Sequence, residues 1–229
     1  MSRVILIYGQ SGAGKTTSCR NLDPKSTLYI DCDGKGLSWQ GWRKAFNAAN
    51  KNYVRTTKIK PSDVKDRAQN SVQELLSQAE GQSHIKVIVV DGINTLMLID
   101  EFRRMRSPNF QGWVELATSV YGLFRQALSM RDDLTVVFIG HAQILRADDG
   151  TELETRLKTS GRKLEKIVLE GECHAVLRAN AIGSEHFFEV HANNSTAKTP
   201  LGAYPPEQLT VPNDLAAVLS RLDQFEKGE

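Results

Sequence analysis

Cysteine is scarce: Cys19, Cys32 and Cys173 stand alone in 229 residues, an odd count with no C-x-x-C pair. That spacing builds neither a disulfide framework nor a metal site, and it points to a reducing cytoplasm. Long apolar runs are missing too. None approaches the roughly 18 residues needed to cross a membrane, and the opening Val4–Tyr8 run is too short for a secretory signal core. The expectation is a cytoplasmic protein with no membrane partner. Neither sign of charge dominates, with 29 Lys and Arg against 27 Asp and Glu and a net charge of +2. This balance excludes a protein that coats nucleic acid by bulk charge, so any such binding has to come from a local patch. Internal repeats and low-complexity tracts are absent as well.

The composition that remains, 40% hydrophobic and 24% charged, is ordinary for a globular chain and excludes wholesale disorder. The length suits one α/β domain with a full core, and no composition break divides residues 1–229. Strand-like and helix-like segments alternate, which predicts a parallel sheet covered on both faces. Strands are expected at Val4–Tyr8, Thr27–Ile30, Val87–Val90 and Thr135–Ile139, with shorter ones at Ala175–Arg178 and Phe187–His191. Helices are expected over Lys15–Leu22, 62–80 (Ser62 as N-cap, Gly81 as stop), Asn94–Arg106, Trp113–Met130 and Asn213–Phe225. Asp23-Pro24 closes the first of these, and Ser107-Pro108-Asn109 breaks the third from the fourth. Residues 145–162, polar and bracketed by glycines, read as a mobile loop.

Between the first strand and first helix lies Gly9-Gln10-Ser11-Gly12-Ala13-Gly14-Lys15-Thr16-Thr17, which contains G-x-x-x-x-G-K-[ST]. This is the phosphate-binding pattern in its required context. Its glycines let successive backbone N–H groups converge on phosphates, with the start of the following helix turned to the same anion. Lys15 is expected to reach the β and γ phosphates, and the Thr16 hydroxyl to ligate Mg²⁺. Asp91 ends the most strand-like run of the chain, where the ligands of open α/β sheets lie, so it is the second Mg²⁺ candidate. Gly92 follows it, although ATPases of the extended AAA group usually carry there the Glu that activates water. Asp33, just past the Thr27–Ile30 strand, is the replacement base if that strand neighbours the first; Asp31 is the alternative. His141, just past Thr135–Ile139, is the first candidate for sensing the γ phosphate, and Gln143 the second.

Together GQSGAGKTT, YIDCDG, VIVVDGINTL and VVFIGHAQ, in that order and each at a strand end, resemble the ATPase core of RecA-type recombinases. More closely, the chain is similar to small phage-encoded ATPases of the AAA superfamily that include RecA-like single-strand annealing proteins. The segments Asn193–Pro200 and Pro212–Leu215 are typical of that group. The resemblance covers nearly the whole chain and is weakest from 35 to 80, a variable basic insertion. It implies an α/β RecA-like core, with a mostly parallel central sheet flanked by helices, a C-terminal β extension and a final helix. It also implies ATP and Mg²⁺ as ligands, Asp33 at the position of the family's catalytic glutamate and His141 at that of its phosphate-sensing glutamine. ATP in such proteins lies between protomers of a head-to-tail ring or filament. A homo-oligomer is therefore implied, with Lys198 the best match to a basic group acting on the neighbour.

The resemblance places a DNA-binding loop at 145–162, where Arg146, Arg156, Lys158 and Arg162 face Asp148, Asp149, Glu152 and Glu154. A sharper charge feature lies in residues 35–67, with nine basic residues, among them Arg43, Lys44, Lys58 and Lys60, against only Asp63 and Asp66. Trp39, Trp42, Phe46 and Tyr53 are interleaved there, a pattern that suits stacking on unpaired bases or, equally, a core or protomer contact. The leading expectation is an ATP-dependent, single-stranded-DNA-binding protein of phage recombination or replication. It would act in the host bacterial cytoplasm, possible partners being a single-strand-binding protein or the replicative helicase. A nucleotide-gated replication accessory of the helicase-loader kind is the alternative, and a nucleoside or nucleotide kinase a third.

Overall fold

The computed structural model describes residues 1–56, 68–105, 110–160 and 166–228, with the side chains of 68–70, 103–105 and 110–117 left aside. Lys58, Lys60, Arg162, Ser62 and the Ser107–Asn109 break all fall outside the described residues. Nine strands form the sheet: β1 (Arg3–Gly9), β2 (Thr27–Asp31), β3 (Tyr53–Arg55), β4 (Val87–Asp91), β5 (Thr135–Arg146), β6 (Glu152–Leu157), β7 (Ala175–Ile182), β8 (Glu185–Glu189) and β9 (Thr210–Pro212). Their spatial order is β3-β2-β4-β5-β1-β7-β8-β9, with β6 paired to β5. From β3 to β7 every neighbour is parallel, and β8 and β9 add antiparallel strands. The expected mostly parallel sheet with a C-terminal β extension is what forms.

Side chains alternate across the sheet, so β1 feeds two cores. Val4, Leu6 and Tyr8 join one with α2 (Ala68–Glu80), α3 (Ile93–Met105) and α4 (Phe110–Ser129), where Phe124 stacks on Phe138 at 4.3 Å. Ile5 and Ile7 join the other with α5 (Leu215–Lys227) and the short α1 (Trp42–Ala45). All five residues are fully buried, which explains why the strand reads as an unbroken apolar run. Asp214 caps α5 by accepting from the Ala216 and Ala217 N–H groups, and Gly228 closes it in the left-handed region.

Two expectations change, and one open alternative is decided. The helix forecast over Lys15–Leu22 is only a short 3-10 helix at Thr17–Asn21. Local bonds compete with a longer helix there: Ser18 Oγ donates back to Lys15 O at 2.6 Å, and Arg20 and Asn21 are drawn to Asn213 O and Asp214. The mobile loop forecast over 145–162 is largely a β-hairpin, because β5 runs on to Arg146 and β6 returns antiparallel to it. Thr155 and Leu157 point inward from β6 and are buried, an alternation masked in the sequence by the charges between them. The interleaved aromatics, finally, pack within the fold. Phe46 is buried with edge-on contacts to Tyr29 and Trp39, and Trp42 lies 5.1 Å from the Tyr53 ring.

Candidate nucleotide-binding site

The C-terminal ends of β1, β2, β4 and β5 open into one cleft of about 510 Å³. Its lining includes Ser11, Gly12, Gly14, Lys15, Thr16 and Thr17 of the phosphate-loop motif, together with Asp33, Asp91 and His141. The topology explains the convergence. β5 lies between β4 and β1, which sets His141 level with Gly9 and next to the end of Asp91's strand. Of the remaining loop residues, Gly9 and Gln10 contribute carbonyls that accept from Lys15 Nζ at 2.9 and 2.8 Å, and Ala13 is buried in the core. The short 3-10 helix has little macrodipole to offer. Anion binding here therefore rests on the loop's N–H groups and on Lys15. Burial lowers the Lys15 pKa, and Asp91 and Asp33 oppose that fall.

At the end of β4, Asp91 Oδ2 accepts from Thr16 Oγ1 at 2.8 Å and from Tyr29 OH at 2.6 Å. Burial raises the Asp91 pKa, while those two hydroxyls pull the other way. A hydroxyl and a carboxylate held this close are the hard oxygen donors that suit Mg²⁺, which takes one or two protein oxygens and completes its shell with phosphate and water. The described residues hold no group of three or more His, Cys, Asp or Glu able to bind a metal unaided. Thr16 and Asp91 fit the ion as a pair.

Asp31 and Asp33 both line the cleft but differ in their partners. Asp31 is buried, and its carboxylate accepts from the N–H groups of Gly34 (2.7 Å) and Gly36 (2.9 Å) and from Tyr53 OH (2.6 Å). It shapes the turn. Asp33 reaches the cleft, with Lys35 Nζ 3.0 Å from Oδ2 and Thr95 Oγ1 donating to Oδ1. The condition attached to Asp33 was wrong, however: β2 neighbours β4, and two strands separate it from β1. Asp33 arrives because its turn folds over Gly92. A Cβ at Gly92 would stand 2.8 Å from Asp33 Cγ, and the glycine's φ of +96° lies in the region L-residues avoid. A side chain at 92 and a carboxylate at 33 compete for one space. The missing Glu after Asp91 and the presence of Asp33 are therefore one structural fact.

His141 receives support from α3, since its N–H donates to Asn94 Oδ1 at 2.6 Å and Asn94 Nδ2 donates to Lys158 O at 2.6 Å. Burial lowers the His141 pKa, and Lys15 adds to the effect, so the site favours the neutral ring. Gln143 pairs with Arg156 in the hairpin and does not line the cleft. Lys198 lies elsewhere, bridged to Val176 at the level of Leu6, three residues before Gly9. Arg43 and Lys44 are exposed, with Arg43 stacked over Trp42 at 5.0 Å. Arg146 bonds Gly150 O and pairs with Glu152. Sequence reasoning missed Tyr29, Asn94, Thr95 and His186, which lines the cleft from the start of β8. It counted Lys35 only as one charge in a basic run. Asn94 and Thr95 sat in a quoted motif, and their polarity directly after a strand-end Asp was the available signal.

The phosphate-loop motif and a hydroxyl–carboxylate pair, at the ends of parallel strands of one sheet, have the arrangement of a P-loop nucleotide-binding domain of ATPase type. Comparison with family models agrees: the AAA domain family matches residues 1–201, and the chain belongs to that family. No curated protein matches the chain.

Proposed function

We propose that the protein is an Mg²⁺-dependent ATPase that binds single-stranded DNA and anneals or pairs strands during phage recombination or replication. The observation that carries the reading is β5. This single strand passes His141 at the nucleotide cleft and runs on to Arg146 in the hairpin, with a shift in pairing register between Leu145 and Arg146. A change in nucleotide state at His141 therefore has a rigid route to a solvent-facing hairpin bearing Arg146, Arg156 and Lys158. ATP binding would favour the DNA-competent hairpin, and hydrolysis would release it.

The chemistry follows from the cleft. Loop N–H groups and Lys15 bind the β and γ phosphates. Mg²⁺, held by Thr16 and Asp91, would supply charge neutralisation across them. Asp33 orients a water and accepts its proton as the water oxygen bonds to the γ phosphorus. The bond from that phosphorus to the β-phosphate oxygen breaks, and its electron pair leaves with ADP.

One observation favours the second reading, a nucleotide-gated replication accessory. The hairpin's cations are offset by Asp148, Asp149, Glu152 and Glu154, and Arg146 is already paired. ATPase assays with and without single-stranded DNA, on wild type and Lys15→Ala, separate the two. DNA-stimulated turnover that Lys15→Ala abolishes supports the first. Equal DNA affinity with and without nucleotide, together with co-purification of a helicase, favours the second.

A further inference from the structure

Lys35 is unassigned by anything above, yet its placement is specific. It sits between Gly34 and Gly36, whose φ angles are +71° and +82°. Both flanking N–H groups are fixed on the buried Asp31 carboxylate, at 2.7 and 2.9 Å. The backbone under Lys35 is thus clamped from below, while its own side chain is 75% exposed and lines the cleft. Its ammonium meets Asp33 Oδ2 at 3.0 Å, and that contact holds the Lys35 pKa above its ordinary value. Lys35 also lowers the pKa values of both Lys15 and His141. Lys35 thus shares one cleft with Lys15, Asp33 and His141 and is in direct contact with the carboxylate of Asp33.

Resting on the ATPase reading, the geometry points to Lys35 as a γ-phosphate ligand supplied within the same chain, exchanging partners from Asp33 to the phosphate when ATP binds. Asp33 has two oxygens: Oδ1 takes the Thr95 hydroxyl and Oδ2 takes Lys35. While Lys35 sits on Oδ2, its ammonium competes with water for that oxygen. The γ phosphate, carrying more negative charge than one carboxylate, draws the ammonium away. Oδ2 is then open to the attacking water, and Lys35 neutralises charge on the equatorial phosphate oxygens as the bond to ADP breaks. ADP offers no such partner, so Lys35 stays on Asp33 and the base stays masked. Asp31 acts through the turn as a positioning residue for Lys35.

The test compares wild type, Lys35→Met and Lys35→Arg in ATP turnover and in binding of ADP and of a non-hydrolysable ATP analogue. Lys35→Met is expected to lower kcat about 10²-fold, the scale for losing one preorganised electrostatic donor. It should weaken the analogue about tenfold while leaving ADP within twofold of wild type, and Lys35→Arg should restore the preference for the analogue. An exposed side chain is being replaced, so Tm should not move, and a lost fold does not explain those results. Equal loss for ADP and the analogue, or turnover by Lys35→Met at or above the wild-type rate, overturns the assignment while the ATPase reading stands. A wild type that neither binds nor hydrolyses ATP overturns both.

Discussion

Asp91 carries a cost that its function requires. Burial raises its pKa above the ordinary carboxylate value, and the hydroxyls of Tyr29 and Thr16 offset only part of that. A carboxyl whose folded pKa lies above its unfolded one contributes most below the unfolded value and loses that contribution as pH rises through the folded value. Above the ordinary carboxylate value the buried Asp91 therefore costs the fold stability. Asp91→Asn, which can still accept both hydroxyls, should have a higher Tm than wild type at pH 7 and lose Mg²⁺-dependent turnover. Thermal melts and ATPase assays on one preparation check both halves. Gly92 works in the opposite direction. Gly92→Ala forces an L-residue into the left-handed region, at a cost of about 1–2 kcal/mol, and pushes against Asp33. Its Tm should fall by roughly 2–8 °C for a chain of this length, with turnover lost out of proportion to nucleotide affinity. His141 has a lowered pKa through burial, so the fold favours its neutral form. That contribution is complete above the unfolded value of about 6.5 and is lost as pH falls through the folded one. His141→Gln should flatten the acid side of the Tm-against-pH profile, and an unchanged profile would count against a buried neutral imidazole.

Among the elements, the hairpin built from β5 and β6 carries the DNA reading. If Arg146 and Lys158 each contact a phosphate, replacing either with Ala should weaken single-stranded DNA binding for all sequences alike. Each replacement should lower the slope of log affinity against log salt by about 0.7. Unchanged slopes would move DNA binding away from the hairpin. The elements differ in how far the sequence announced them, for physical reasons. β1, β4 and the sheet part of β5 were legible because strands buried on both faces carry unbroken runs of Val, Ile and Leu. The phosphate loop was legible because its chemistry is local and contiguous. β3 and β9, at three residues each, are too short to show a period. β6 was hidden by Glu152, Glu154 and Arg156, charged residues that alternate with Leu153, Thr155 and Leu157. The 3-10 helix after the loop was misjudged because its length is decided by Arg20 and Asn21 bonding residues 213 and 214, far along the chain. Asp33 was found, but the route by which it reaches the cleft depends on strand order and on the space at Gly92, which no local pattern encodes.

At the scale of the whole molecule, a near-neutral chain conceals a division of labour. One sheet end gathers Lys15, Lys35, Asp33, Asp91 and His141 into a single cleft, so Lys35 of the basic 35–67 segment serves the site. Within that segment the aromatics Phe46, Trp39, Trp42 and Tyr53 pack on one another, while Arg43 and Lys44 are exposed. If Asp33 is the base, a cleft that holds it with Lys15 and Lys35 from one chain is expected to turn over ATP even when diluted below any assembly threshold. Arrangement into a head-to-tail ring or filament would then add DNA coupling to an existing activity. The central claim is that Asp33 activates water in place of the usual glutamate after the metal carboxylate, and Asp33→Asn tests it most directly. This variant keeps the size of the side chain but cannot take the proton. Its affinity for a non-hydrolysable ATP analogue should stay within about threefold of wild type, while turnover falls by roughly 10²–10³, the range for removing a general base. Turnover by Asp33→Asn at the wild-type rate would contradict the account.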